Sequence, residues 1–118
     1  MYVNGNGVSD TKDAANPPNP EEVKMAREFI EQCCVELKNI KVKGASSSYG
    51  WKHSAEGWFR DGNVGAAYLP KGANAYISNG AFIAAAIALG YKTKRQSPKS
   101  PNVYFNMSLT REAKKRLK

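Results

Sequence analysis

The chain has 118 residues, 42% of them hydrophobic, which suits one small domain with a real core but little stability in reserve. Its formal net charge is +8, and the charge is segregated: residues 1–45 carry six Lys/Arg against seven Asp/Glu, and residues 46–118 carry twelve against three. That excess favours a polyanionic partner, while two adjacent cysteines and one histidine exclude a standard zinc set, and the longest apolar run, AFIAAAIAL, is too short to span a bilayer.

Residues 1–18 are rich in Gly, Asn, Asp and Pro and read as a flexible N-terminal arm ending in the turn signal NPPNP. The single α+β domain is expected to occupy residues 19–118. Its first helix starts with Asn19 as cap, Pro20 in the first turn and Glu22 three residues after the cap. Val23, Ala26, Ile30, Cys33, Leu37 and Ile40 then recur at helical spacing, so one apolar stripe predicts a helix over 20–40. The stripe packs on the domain's own core or, being close to a heptad, pairs two copies as a homodimer. Cys33 and Cys34 point about 100° apart in a helix. They read as free thiols of a reducing compartment, and the location expected is the cytoplasm of a bacterial host.

SSSYGWKHSAEGWFR predicts a second helix at roughly 47–59, with Trp51, Ala55, Trp58 and Phe59 on one side and Tyr49, Lys52, His53 and Glu56 on another. Residues 60–75 are Gly-rich and read as a long loop with a short strand at 66–69. YISNGAFIAAAIALGY is the clearest helix, capped by Ser78, closed by Gly90 and uncharged over 79–89. YKTKR and NVYFNMS read as two strands, the second with Val103, Phe105 and Met107 on one face and Tyr104, Asn106 and Ser108 on the other. Thr110 caps a short last helix. About three helices packed on a small antiparallel hairpin or sheet is the expected architecture, in the order of a winged-helix module.

A winged helix reads bases through its third helix, and here that helix offers Ala, Phe, Ile and Leu instead of Arg, Asn or Gln. Any nucleic-acid contact is therefore expected from the backbone-binding cations of the hairpin, the basic end and the second helix. The residues singled out are Tyr49, Lys52, His53, Arg60, Lys92, Lys94, Arg95, Lys99, Arg111 and Lys115. His53 and Glu56 stand three apart on one helix face, a spacing that can fix an imidazole tautomer. No second histidine, nucleophile motif or phosphate loop completes a catalytic set, so no enzyme and no cofactor is expected. The Tyr49–His53–Glu56 face is either a hydrogen-bond network pinning helix to loop or a binding surface.

SYGWKHSAE, YISNGAFIAAAIALGY and NVYFNM resemble blocks found in small phage- and plasmid-borne proteins, written SYxxKHxAE, YxSNGxFIxAAxxxGY and NxYFN. The resemblance covers about half the chain and leaves out the first helix and the Gly-rich 60–75 segment. It implies a mobile-element origin and no particular chemistry. Such an origin suits two roles: binding DNA or RNA, or inhibiting a host protein through an exposed apolar patch such as the 23–40 stripe or Tyr68–Leu69.

Overall fold

A computed structural model describes residues 1–61 and 75–116. The long loop expected at 60–75, with its strand at 66–69, lies mostly outside the described residues.

Helix α1 spans Pro20–Cys33. Asn19 caps it, its Oδ1 accepting from the N–H groups of Glu21 and Glu22 at 2.9 and 3.2 Å. Glu22 does not close a capping box. Its Oε1 instead accepts from the N–H of Ser78 at 2.9 Å and ties the start of α1 to the entry of a later helix. The stripe is turned inward at Ala26, Ile30 and Cys33, with Met25 and Phe29 also buried.

The helix expected to reach residue 40 stops at Cys33. Cys34–Glu36 form strand β3 instead. Here tertiary pairing overrides helical spacing: β3 runs antiparallel to Met107–Leu109, with Cys34 opposite Leu109 and Glu36 opposite Met107. The helix expected over 20–40 is therefore not continuous.

Helix α2 covers Ser48–Arg60, close to the expected bounds, with Ser47 at the cap position. Helix α3, Asn79–Ala88, is capped by Ser78, whose Oγ accepts from the N–H of Ala81. It ends with Gly90 at φ 91°, Gly90 N–H donating to Ile87 O and Tyr91 N–H to Ala86 O. Most of α3 is buried, consistent with its lack of charge. Phe82 of α3 lies 6.3 Å from Phe29 of α1 and 5.8 Å from Phe105. Phe29 also meets Trp58 of α2 edge-on at 6.0 Å. Each fully buried Phe contributes roughly 1.5–3 kcal/mol of apolar burial.

The hairpin is β4, Thr93–Arg95, against β5, Val103–Phe105. The run NVYFNMS is not one strand: it breaks at Asn106, and Met107–Leu109 form β6, which pairs with β3. Val103, Phe105 and Met107 point inward as the alternation required. Asn106, on the opposite face with Tyr104 and Ser108, is fully buried as well. Its backbone O accepts from Leu37 N–H at 2.8 Å, its Nδ2 donates to Leu37 O at 2.9 Å, and its Oδ1 accepts from Lys92 N–H at 2.7 Å. This one side chain joins the β3–β6 pair to the start of β4. Helix α4, Arg111–Arg116, follows, with Thr110 Oγ1 accepting from the N–H of Ala113.

The flexible arm expected at 1–18 is a built element. Tyr2–Asn4 (β1) and Gly7–Ser9 (β2) form an antiparallel hairpin. Its turn docks on α3 through Gly80 N–H to Gly5 O at 3.1 Å, and β2 docks beside β5 through Val8 N–H to Pro101 O at 2.9 Å. Val8 is buried, and Gly5 N–H donates to Asn16 O, holding the following segment. A low apolar content misled the sequence reading, because these residues are held by backbone hydrogen bonds more than by side chains.

Candidate functional site

The charged face of α2 is a buried ion cluster. Lys52 and Glu56, one turn apart, are 5% and 8% exposed, and Lys52 Nζ stands 3.2 Å from Glu56 Oε2. Glu56 Oε2 also accepts from the N–H of Ile77 at 3.0 Å, and Oε1 lies 3.0 Å from His53 Nδ1. Glu56 therefore fastens α2 to the segment that enters α3. Burying a carboxylate is costly unless charge and hydrogen bonds compensate it, and here all three partners converge on it. Lys52, expected as a surface contact, is buried instead: its ammonium sits 4.5 Å from the Tyr76 ring centroid and 5.3 Å from that of Tyr49. Tyr49 meets His53 edge-on at 4.5 Å. The network that pins helix to chain runs through Lys52 and Glu56, with half-exposed His53 at its edge.

Lys52 forms part of the wall of a pocket of about 380 Å³. Tyr49 and Tyr76, each about half exposed, stand at it, with Asn6, Asn79 and Asn102 as further polar walls. Asn79 Nδ2 lies 3.1 Å from Asn6 O, 3.2 Å from Pro101 O and 2.9 Å from Asn102 Oδ1. The Asn79 Oδ1 atom is buried and accepts no hydrogen bond among the described residues. These asparagines come from the N-terminal hairpin, the start of α3 and the lead into β5, and only their meeting in space makes them a site. No local spacing could have singled them out.

The remaining cations are mostly on the surface. Arg60, Lys92, Lys94, Lys99, Arg111 and Lys115 are exposed. Arg95 is not a free wing cation: its Nη1 pairs with Asp10 at 2.7 Å and its Nε donates to Ser100 O at 2.7 Å. Another, smaller pocket of about 210 Å³ places Lys41 and Lys114 around half-buried Trp51 and Ser54. Lys41 was overlooked because the first 45 residues are acidic in sum. It is carried to the basic end by its N–H bond to Phe105 O at 3.2 Å, beside the Asn106 junction that also holds Lys92.

The two thiols are packed groups. Desolvation pushes Cys33 up from 9.0 to about 11, against a lowering by Arg116, and pushes Cys34 higher still, with Cys33 adding to the rise. A thiol reagent at neutral pH should leave both unmodified in the native chain and titrate both after denaturation. The sign of the linkage follows from the raised values: the unfolded chain loses these protons first. Their contribution to stability is complete below about pH 9 and falls as pH rises through about 11. Urea midpoints measured across that window should decline.

Among the described residues no group of three His, Cys, Asp or Glu could hold a metal ion, and no helix is long and apolar enough to cross a membrane. No family model, no curated protein and no solved structure matches the chain.

Proposed function

We propose that this chain binds nucleic acid mainly through backbone phosphates, as a non-enzymatic accessory protein. The mobile-element setting rests on the resemblance of three residue blocks. The observation that carries the binding reading is a set of exposed cations with no acid in ion-pair range among the described residues: Lys41, Lys92, Lys94, Lys99, Lys114 and Lys115. Phosphate is the natural partner for ammonium groups that the fold itself leaves uncompensated. Burial of α3 argues against base reading in the major groove by that helix. Of the two surfaces that would suit a protein partner, the 23–40 stripe is buried at Ala26, Ile30 and Cys33, and Tyr68–Leu69 lies outside the described residues.

Anisotropy of labelled duplex and single-stranded DNA from low to physiological salt tests this. Binding should weaken linearly in log salt, with a slope near 0.9 per phosphate contacted on duplex. Lys41→Glu with Lys114→Glu, and separately Lys94→Glu with Lys99→Glu, should each flatten the slope by about 1 to 2 units, equally across sequences. No binding at low salt overturns the reading.

A further inference from the structure

We propose that the Lys52 pocket holds one unpaired nucleobase, with Lys52 and the asparagine walls on the base edge and Tyr49 and Tyr76 on its faces. The proposal rests on the nucleic-acid reading above and adds to it a preference for single strands that backbone contact alone does not give.

Unspent hydrogen-bonding capacity is the first reason. An ammonium carries three N–H bonds. Lys52 spends one on Glu56 Oε2, and no other acceptor among the described residues takes the rest, although the side chain is almost wholly buried. Asn79 has the opposite shortage. Its amide nitrogen has Asn6 O, Pro101 O and Asn102 Oδ1 within reach, and Pro101 O also accepts from Val8 N–H, but its own Oδ1 has no donor among the described residues. Native buried polar groups rarely stay unmatched, and such a gap calls for an unseen partner.

Ligand chemistry follows from that pattern. A phosphate offers acceptors only, and Glu56 beside Lys52 already neutralises the cation a free anion would seek. An apolar ligand satisfies neither group. A nucleobase edge offers acceptors and N–H donors side by side on a rigid plane. The aromatic rim agrees with this. Tyr49 and Tyr76 are 52% and 53% exposed, although large aromatic side chains are usually more buried. Aromatic faces beside a basic surface are the common stacking platform of single-strand binders. A pocket of about 380 Å³ is also of a size to take one small ligand.

The test compares a labelled mixed-sequence single strand with an abasic strand of equal length, titrated against the full chain. The base-bearing strand should bind roughly tenfold more tightly, the order expected for stacking one base. Tyr49→Leu and Tyr76→Leu, which keep apolar cover over Lys52, should erase most of that difference, while the salt dependence of abasic-strand binding still reports the surface lysines. Equal binding of both strands by the wild-type chain overturns the pocket and leaves the backbone reading standing. If neither strand binds at low salt, the backbone reading falls by itself. Free nucleoside 5′-monophosphates then decide the pocket by amide shifts: changes confined to Tyr49, Tyr76, Asn79 and Asn102 uphold it, and none overturn it.

Discussion

Replacing Glu56 by Ala should cost about 3–5 kcal/mol, the usual loss when one partner of a buried ion pair is removed. The change strands three groups at once. Lys52 loses its carboxylate partner in a site where its side chain is 7% exposed and its ammonium lies against the Tyr49 and Tyr76 rings. The N–H of Ile77 loses its acceptor just ahead of α3, and His53 loses its partner. A loss of that size is a large fraction of the roughly 5–15 kcal/mol that a domain has in total. Glu56→Gln should cost less, because an amide oxygen can still accept from Ile77. Lys52→Met with Glu56→Gln should recover most of the loss, since an apolar side chain of similar length fills the space without a charge to compensate. His53→Ala should cost under about 0.5 kcal/mol, because a half-exposed side-chain contact contributes little. Urea midpoints at constant m-value separate these outcomes. Equal stability of Glu56→Ala and the wild type would mean that water reaches Lys52 and that the cluster is not closed.

The face that holds this cluster was legible in the sequence, but its depth was not. Tyr49, Lys52, His53 and Glu56 fall together from helical spacing alone. Spacing says nothing of what covers them, and the cover is Tyr76 and Ile77, brought in from the segment ahead of α3. The same division runs through the fold. Local chemistry marked the helix ends at Asn19, Ser78, Gly90 and Thr110, because a cap is a bond between near neighbours. The end of α1 was misread, because Leu37 and Ile40 continue the stripe as well as any helix would. What stops the helix is a strand partner far along the chain. Asn106 falls on the face opposite Phe105 and Met107, and only the convergence of Leu37 and Lys92 on it explains its burial. The N-terminal hairpin left the faintest trace, since Gly, Asn and Asp read the same in a disordered arm and in a tight turn.

That hairpin is the subject of the second large effect. Gly80→Ala should destabilise the chain by about 1–3 kcal/mol or more, the range for forcing atoms into filled space. In the first turn of α3, intrinsic propensity alone argues the other way, since Ala is favoured over Gly in helices by about 1 kcal/mol. Space decides the sign. A Cβ at Gly80 would lie 1.7 Å from Asn4 O, 2.7 Å from Asn4 C and 2.8 Å from Gly5 C, all backbone atoms that no rotamer change can move. The hairpin must back away, losing the Gly80 N–H bond to Gly5 O. Gly57→Ala is the control. Among the described residues its Cβ would meet only the end of the Arg60 side chain at 3.4 Å, so the propensity gain of about 1 kcal/mol should be realised. In Gly80→Ala, amide exchange should rise first over residues 2–9, while the α1–α3 core, with Phe29 against Phe82, stays protected longer. Because Asn6 belongs to both the hairpin and the Lys52 pocket, the same substitution should abolish the preference for base-bearing strands. Lys41, Lys94 and Lys114 are untouched by it, so binding of the abasic strand should persist. Loss of both together would place the phosphate contacts on the hairpin side of the molecule.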